Sequence, residues 1–211
     1  MNIALIHSGV AGTEDGYRDD GRHRYRIERI HRAWQPCFDG DDVVLVPNGA
    51  NHVALLSARE RLQAFVARGG ALLCFCGFFT PWVPGYLWRH DYRRPLRDLR
   101  YHIDQDPLQL CDGVEAERLC VDAHGLRGGW ACGEIVGAEG EVLHDHVVLR
   151  DNHGRALMVA DRDTRAGLVI ATASGPLSDD NPDAADDQGA RRLYRNILRA
   201  CRAHHEARHG G

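Results

Sequence analysis

Apolar and polar positions alternate along the chain in a way that predicts strands and helices in turn up to about residue 76, then mainly strands. Asn2 to His7 is an apolar run suited to a buried parallel strand. A glycine- and acid-rich loop, Ser8 to Gly21, follows. Ile27, Ile30 and Trp34, with arginines between them, predict an amphipathic helix. Phe38 to Asp41 reads as a turn, and Asp42 to Pro47 as a second buried strand rich in β-branched residues. Ser57-Ala58-Arg59-Glu60 has the form of a capping box, which opens a helix with Leu62, Phe65 and Val66 inward. Gly69-Gly70 ends that helix, and Ala71 to Cys76 is a third short apolar strand. Strand, helix and strand with tight connections predict a right-handed βαβ unit in a parallel sheet.

After Cys76 the pattern changes. Six of the fifteen aromatic residues lie between 78 and 92, and Pro81 and Pro84 make this stretch a structured loop. Pro95 can open a short helix with Leu96, Leu99 and Ile103 inward and Arg97 and Arg100 outward. Trp130 to Val136, Glu141 to Leu149 and Arg155 to Ala160 read as strands joined by turns at 137–140 and 151–154, a β-meander. Ala166 to Ala173 returns as a core strand, and 174–188 is a polar loop. Leu193, Ile197, Leu198 and Cys201 mark a last amphipathic helix, with a frayed tail from His204. The expected fold is α/β: a flavodoxin-like three-layer sandwich with a mixed, mainly parallel sheet and an antiparallel β-meander extension. It forms a single domain over 1–203, and 204–211 is the tail.

Composition narrows the chemistry. All 26 basic residues are arginines, and there is no lysine. A Schiff-base lysine, a lysine-bearing P-loop and a kinase-type nucleotide lysine are therefore excluded. A formal charge of −4 argues against bulk binding to nucleic acid or an anionic membrane. No apolar run approaches a transmembrane span, and Met1 to Val10 reads as a first strand rather than a signal peptide. Seven scattered cysteines suit reduced thiols, so a cytoplasmic location is expected. No cofactor is expected. The loop Ser8 to Gly12 lacks the glycine spacing of a dinucleotide fingerprint. It still places His7 and Ser8 at the carboxyl end of a strand, where α/β sheets bind ligands.

Two further clusters have chemical potential. His144 and His146, two apart on a predicted strand, share a face and could reach one zinc ion, but no third ligand is apparent from spacing. A metal site is therefore not expected. Trp82, Trp88, Arg89 and Arg93 lie in the aromatic, arginine-rich segment with Arg94, Arg97 and Arg100. Arginine forks bind carboxylate or phosphate, and aromatics stack on sugars or bases, so this segment could line a site for a small anionic ligand. It could equally form a homodimer interface or a solvated face.

Asp42 to Gly49, the helix ending at Gly69-Gly70 and the strand Ala71 to Gly77, in that order, resemble the class I glutamine amidotransferase-like superfamily. The closest likeness is to its trehalose-utilisation (ThuA-like) branch and uncharacterised bacterial relatives. The likeness covers residues 1–80 and the last strand and helix. It implies that Cys76 sits at a nucleophile elbow and that the amides of Asn48, Gly49 and Gly77 form an oxyanion hole. The alternative for Cys76 is a buried structural thiol. The chain departs from the superfamily pattern in two places. Cys74 and Phe78 replace the flanking glycines, and Thr172 to Pro176 contains no His-x-Glu pair. A glutaminase is therefore not expected. The substitute base is sought in Asp122-Ala123-His124, where an extended backbone points Asp122 and His124 the same way, so the carboxylate could orient the imidazole. The alternative is that His124 is a loop histidine. The functional expectation is an enzyme acting on a small polar or anionic metabolite around Cys76. Its rival is a non-catalytic module that dimerises through residues 78–100.

Overall fold

The longest apolar runs become the middle of a ten-stranded mixed sheet flanked by few helices, an α/β arrangement. The computed structural model describes residues 1–91, 93–120, 132–173, 175, 177–179 and 188–209. The strands are β1 (Asn2–His7), β2 (Arg24–Arg29), β3 (Val43–Val46), β4 (Ala71–Phe75), β5 (Tyr86–His90), β6 (Tyr101–Ile103), β7 (Gly133–Gly137), β8 (Val147–Asp151), β9 (Ala156–Asp161) and β10 (Leu168–Thr172). The helices are α1 (His52–Ser57), α2 (Arg59–Ala67) and α3 (Ala190–His209). The sheet runs β2-β1-β3-β4-β10-β9-β7-β5, with β8 also on β9 and β6 on β8. The first five of these strands are mutually parallel and every other pairing is antiparallel, so among the described residues the sheet is half parallel rather than mainly so.

Burial explains which runs were legible. β3, β4 and β10 are buried at every position and β1 at all but its first, as strands covered on both faces must be. β2 corrects an expectation, because residues 24–29 are an edge strand and not the start of a helix through Trp34. Tyr25 and Ile27 pair with Ile3 and Leu5 of β1. The charged Arg24, Arg26 and Glu28 alternate with them, as suits an exposed edge. The Ile27–Ile30 spacing imitated a helical stripe, but pairing with β1 decided the conformation.

Alternation along β2 also sorts the helices. The Tyr25 hydroxyl lies 2.5 Å from that of Tyr194 on α3. Glu28, on the opposite face, accepts from Trp34 Nε1 at 2.9 Å. Arg61 of α2 joins that second layer by donating to Gln35 Oε1 at 2.7 Å. α2 and α3 therefore cover opposite faces.

The predicted capping box does not form. The helical run begins earlier, at Asn51, whose Oδ1 accepts from the amides of Val53 (3.2 Å) and Ala54 (3.1 Å). Ser57 instead turns its hydroxyl back to the Val53 carbonyl at 3.1 Å, and the run breaks at Ala58. Asn51→Ala is expected to cost about 1 kcal/mol. In a chain of this size that lowers Tm by roughly 2–4 °C, measurable by calorimetry. The stop at Gly69-Gly70 forms as expected, with Gly70 N donating to Phe65 O at 3.0 Å.

Three further expectations are corrected. The strands of the second half do not form a meander. The turn at 137–140 closes, but residues 141–146 are not strand, and β7 and β8 each pair with β9 rather than with each other. Near Pro95 only Leu99 is buried, while Leu96 and Ile103 are exposed. The chain does not fray at His204, because α3 continues to His209. His204 Nε2 and Arg208 Nη1 hold the Gly69 carbonyl at 2.9 and 2.5 Å.

Candidate functional site

The parallel strands end along one edge, and their loops bring the candidate residues to it. His7 and Ser8 follow β1, Asn48 and Gly49 follow β3, and Cys76 and Gly77 follow β4. Ser8 Oγ accepts from Asn51 N at 2.8 Å, which ties the β1 loop to the start of α1. Gly49 adopts φ +83°, a left-handed turn that lets its loop reverse beside Val10. No turn or loop hydrogen bond among the described residues is donated by the amides of Asn48, Gly49 or Gly77.

Cys76 lies at a bend just past β4 and is 1% exposed. Its sulfur is 3.7 Å from that of Cys74, two residues back on the same face of the strand. Its thiol pKa is lowered to about 6. The hydrogen bond from Cys74 is the largest cause, burial opposes it, and His52 lowers it further. Burial and the neighbouring Cys76 push the Cys74 thiol up, so Cys74 keeps its proton and serves as donor. Burial likewise raises the Tyr17 hydroxyl, and the charges of Tyr25 and Cys76 add to this.

His52 opens α1 and is the partner that sequence reasoning missed. The aromatic segment holds it in place. Trp82 Nε1 donates to His52 Nδ1 at 3.2 Å, and Thr80 Oγ1 donates to the His52 carbonyl at 2.9 Å. Phe79 meets its ring edge-on at 5.2 Å. An indole only donates, so Nδ1 must accept, and the proton of the neutral ring resides on Nε2. His52 is also one of the groups that lower the Cys76 pKa. The sequence does carry a faint signal for it: His52 follows a strand-end loop one strand away from Cys76.

The other candidates separate. Asp122 and His124 lie outside the described residues. Trp82 is fully buried, and its role is to hold His52. Trp88 packs over Gly77, where an added Cβ would come within 2.6 Å of the indole, and donates from Nε1 to Ala173 O at 2.7 Å. Arg89, next along β5, projects to the opposite face and pairs with Glu134 at 2.8 Å. Arg93 is exposed, Arg94 pairs with Asp91, and Arg100 donates to backbone carbonyls. His7 is buried, and its Nδ1 accepts from Gly9 N at 3.1 Å. Arg29 and Glu14 stand beside it, paired at 2.6 Å. His144 and His146 are not on a strand, and His146 has φ 62°, so the shared-face argument for them fails. Among the described residues no group of three or more His, Cys, Asp or Glu could hold a metal ion. Among the described residues no helix is long and apolar enough to cross a membrane.

A half-open cavity of about 290 Å³ lies at the opposite edge of the sheet, between Asp42, Phe65, Gly70 and His205. Its charged groups are already paired, as in His205 with Asp42 at 3.0 Å and Arg68 with Asp39 at 3.4 Å. It is not the site of the Cys76 chemistry. No protein family matches the chain, and no curated protein does.

Proposed function

We propose that the chain is a flavodoxin-like, class I amidotransferase-like protein in which Cys76 is a nucleophile toward a small polar or anionic metabolite. The observation that carries this reading is the lowered pKa of Cys76, at the carboxyl edge of the parallel strands and beside His52. A thiolate is the reactive form of cysteine, and an elbow beside the loop amides of Asn48, Gly49 and Gly77 is where a carbonyl would be attacked. The strand order β2-β1-β3-β4-β10 supports the flavodoxin-like assignment, since it is the 2-1-3-4-5 order of that fold. The stretch just after the last core strand, Thr172 to Pro176, holds no His-x-Glu pair of the glutaminase kind, so glutamine is not the expected substrate.

The test is acyl transfer from small activated esters, carrying either a neutral or a carboxylate-bearing acyl group. A transient acyl adduct is expected on the peptide from Gly69 to Arg89, and Cys76→Ser is expected to abolish it. Turnover that is unchanged by Cys76→Ser would remove the nucleophile from the reading.

A second reading, a module that dimerises through residues 78–100, is favoured by Phe79, which is 71% exposed beside a sealed Cys76. Under that reading Phe79→Asp converts a dimer to a monomer in sedimentation. A wild-type monomer at all concentrations eliminates it.

A further inference from the structure

The Cys74–Cys76 contact has a chemistry that acyl transfer does not use. The two sulfurs are 3.7 Å apart. Cys74 lies within β4, and Cys76 lies at the bend after it. Residues two apart on a straight strand have Cα atoms roughly 6.6 Å apart, near the upper limit for a disulfide. Closing the contact from 3.7 Å to a bond of about 2.05 Å needs side-chain rotation of the kind a strand end permits. Cys74 Sγ also lies 3.5 Å from the Cys76 carbonyl, so its proton already faces the Cys76 end of the pair. Cys76 is 1% exposed, which favours a reactant of about the size of water over a bulky one.

We infer that Cys74 and Cys76 form a redox couple that reduces small hydroperoxides, with Cys76 as the attacking sulfur and Cys74 as the resolving one. In the first step the Cys76 thiolate attacks the terminal oxygen of the hydroperoxide. The O–O bond breaks, an S–O bond forms, and the alkoxide or hydroxide released takes up a proton to leave as alcohol or water. Cys76 is then a sulfenic acid. In the second step the Cys74 sulfur attacks the Cys76 sulfur. The S–O bond breaks, the Cys74 proton leaves with the hydroxyl as water, and a disulfide forms. An external dithiol returns both residues to thiols by exchange and is itself oxidised to a disulfide. The inference shares with the proposed function only the premise that Cys76 is nucleophilic.

The test uses the full chain, reduced and then treated with hydrogen peroxide. Both thiols fall in one arginine-bounded peptide, Gly69 to Arg89, which contains no other cysteine. That peptide is expected to become lighter by two hydrogens, to resist iodoacetamide, and to regain two alkylation sites after dithiothreitol. Cys74→Ser, which keeps a hydroxyl donor beside Cys76, is expected to give instead a dimedone-trappable sulfenic acid on Cys76 and no disulfide. The inference is overturned if both thiols remain alkylatable when the exposed Cys37 has been oxidised. Over-oxidation of Cys76 while Cys74 stays a thiol overturns it too, as does a disulfide from Cys76 to another peptide. Acylation of Cys76 without disulfide formation would sink this inference alone, whereas failure of both reactions would sink the nucleophile as well.

Discussion

Removing the donors around Cys76 is expected to shift its ionisation more than any other change at the site. The readout is the ultraviolet absorbance of the thiolate against pH, taken as the difference between the wild type and Cys76→Ser, so access by a reagent does not matter. In the wild type this component is expected to titrate near 6, where Cys76 is placed by the Cys74 hydrogen bond and then by His52. The sign follows from a depressed acid. Thiolate is present above about pH 6 and is lost as pH falls through that value. Cys74→Ala removes the largest lowering cause and leaves the opposing burial in place. Its midpoint should therefore rise furthest, to or beyond the roughly 8.5 of a free cysteine. His52→Ala should give a smaller rise; one on the order of one pH unit reduces the thiolate at pH 6 about fivefold. A wild-type component that titrates near 8.5 would show that the sulfur is an ordinary buried thiol and would remove the basis of the proposed function.

Asp151→Ala is expected to have the largest effect on stability. The Asp151 side chain is fully buried at the end of β8. One oxygen accepts from the amides of His153 (2.9 Å) and Arg155 (3.0 Å), and the other accepts from Arg155 Nε at 2.6 Å. Arg155 reaches on to Asp91, just after β5, at 2.8 Å, so the network joins the β8–β9 turn to the strand that carries Trp88. Removing one partner of a buried pair leaves uncompensated charge and typically costs about 3–5 kcal/mol. The corresponding fall in Tm is roughly 10 °C or more, read by calorimetry. Asp151→Asn keeps an acceptor for the two amides and should lose less. If Asp151→Ala unfolds within about 2 °C of wild type, the network does not hold the antiparallel half in place.

The two variants probe different layers of the molecule, and these layers were unequally legible in the sequence. The apolar runs that became β1, β3, β4 and β10 are buried along their length, so their composition alone marked them. The stop at Gly69-Gly70 and the position of Cys76 just past β4 were equally local and could be read residue by residue. β2 was not legible, because an edge strand with charged residues has no pattern that separates it from an exposed helix until β1 supplies its partners. The capping box failed for a related reason. Asn51, whose backbone amide donates to Ser8 of another loop, captured the helix start first with its carboxamide oxygen.

By itself the sequence determined which segments must be buried, that the fixed cations are arginine, and that a cysteine ends a central strand. The tertiary structure decided what surrounds that cysteine. His52, at the start of α1, lowers the Cys76 pKa, and Trp82, 30 residues further along the chain, fixes its tautomer. Arg89, Arg94 and Arg100 found carboxylates or carbonyls of their own, and β-strand alternation turned Arg89 away from the face that Trp88 occupies. Burial and helix stops depend on neighbours within a few residues. The ionisation of a thiol and the pairing of a charge depend on which groups the folded sheet brings within a few ångströms, and no local pattern encodes that.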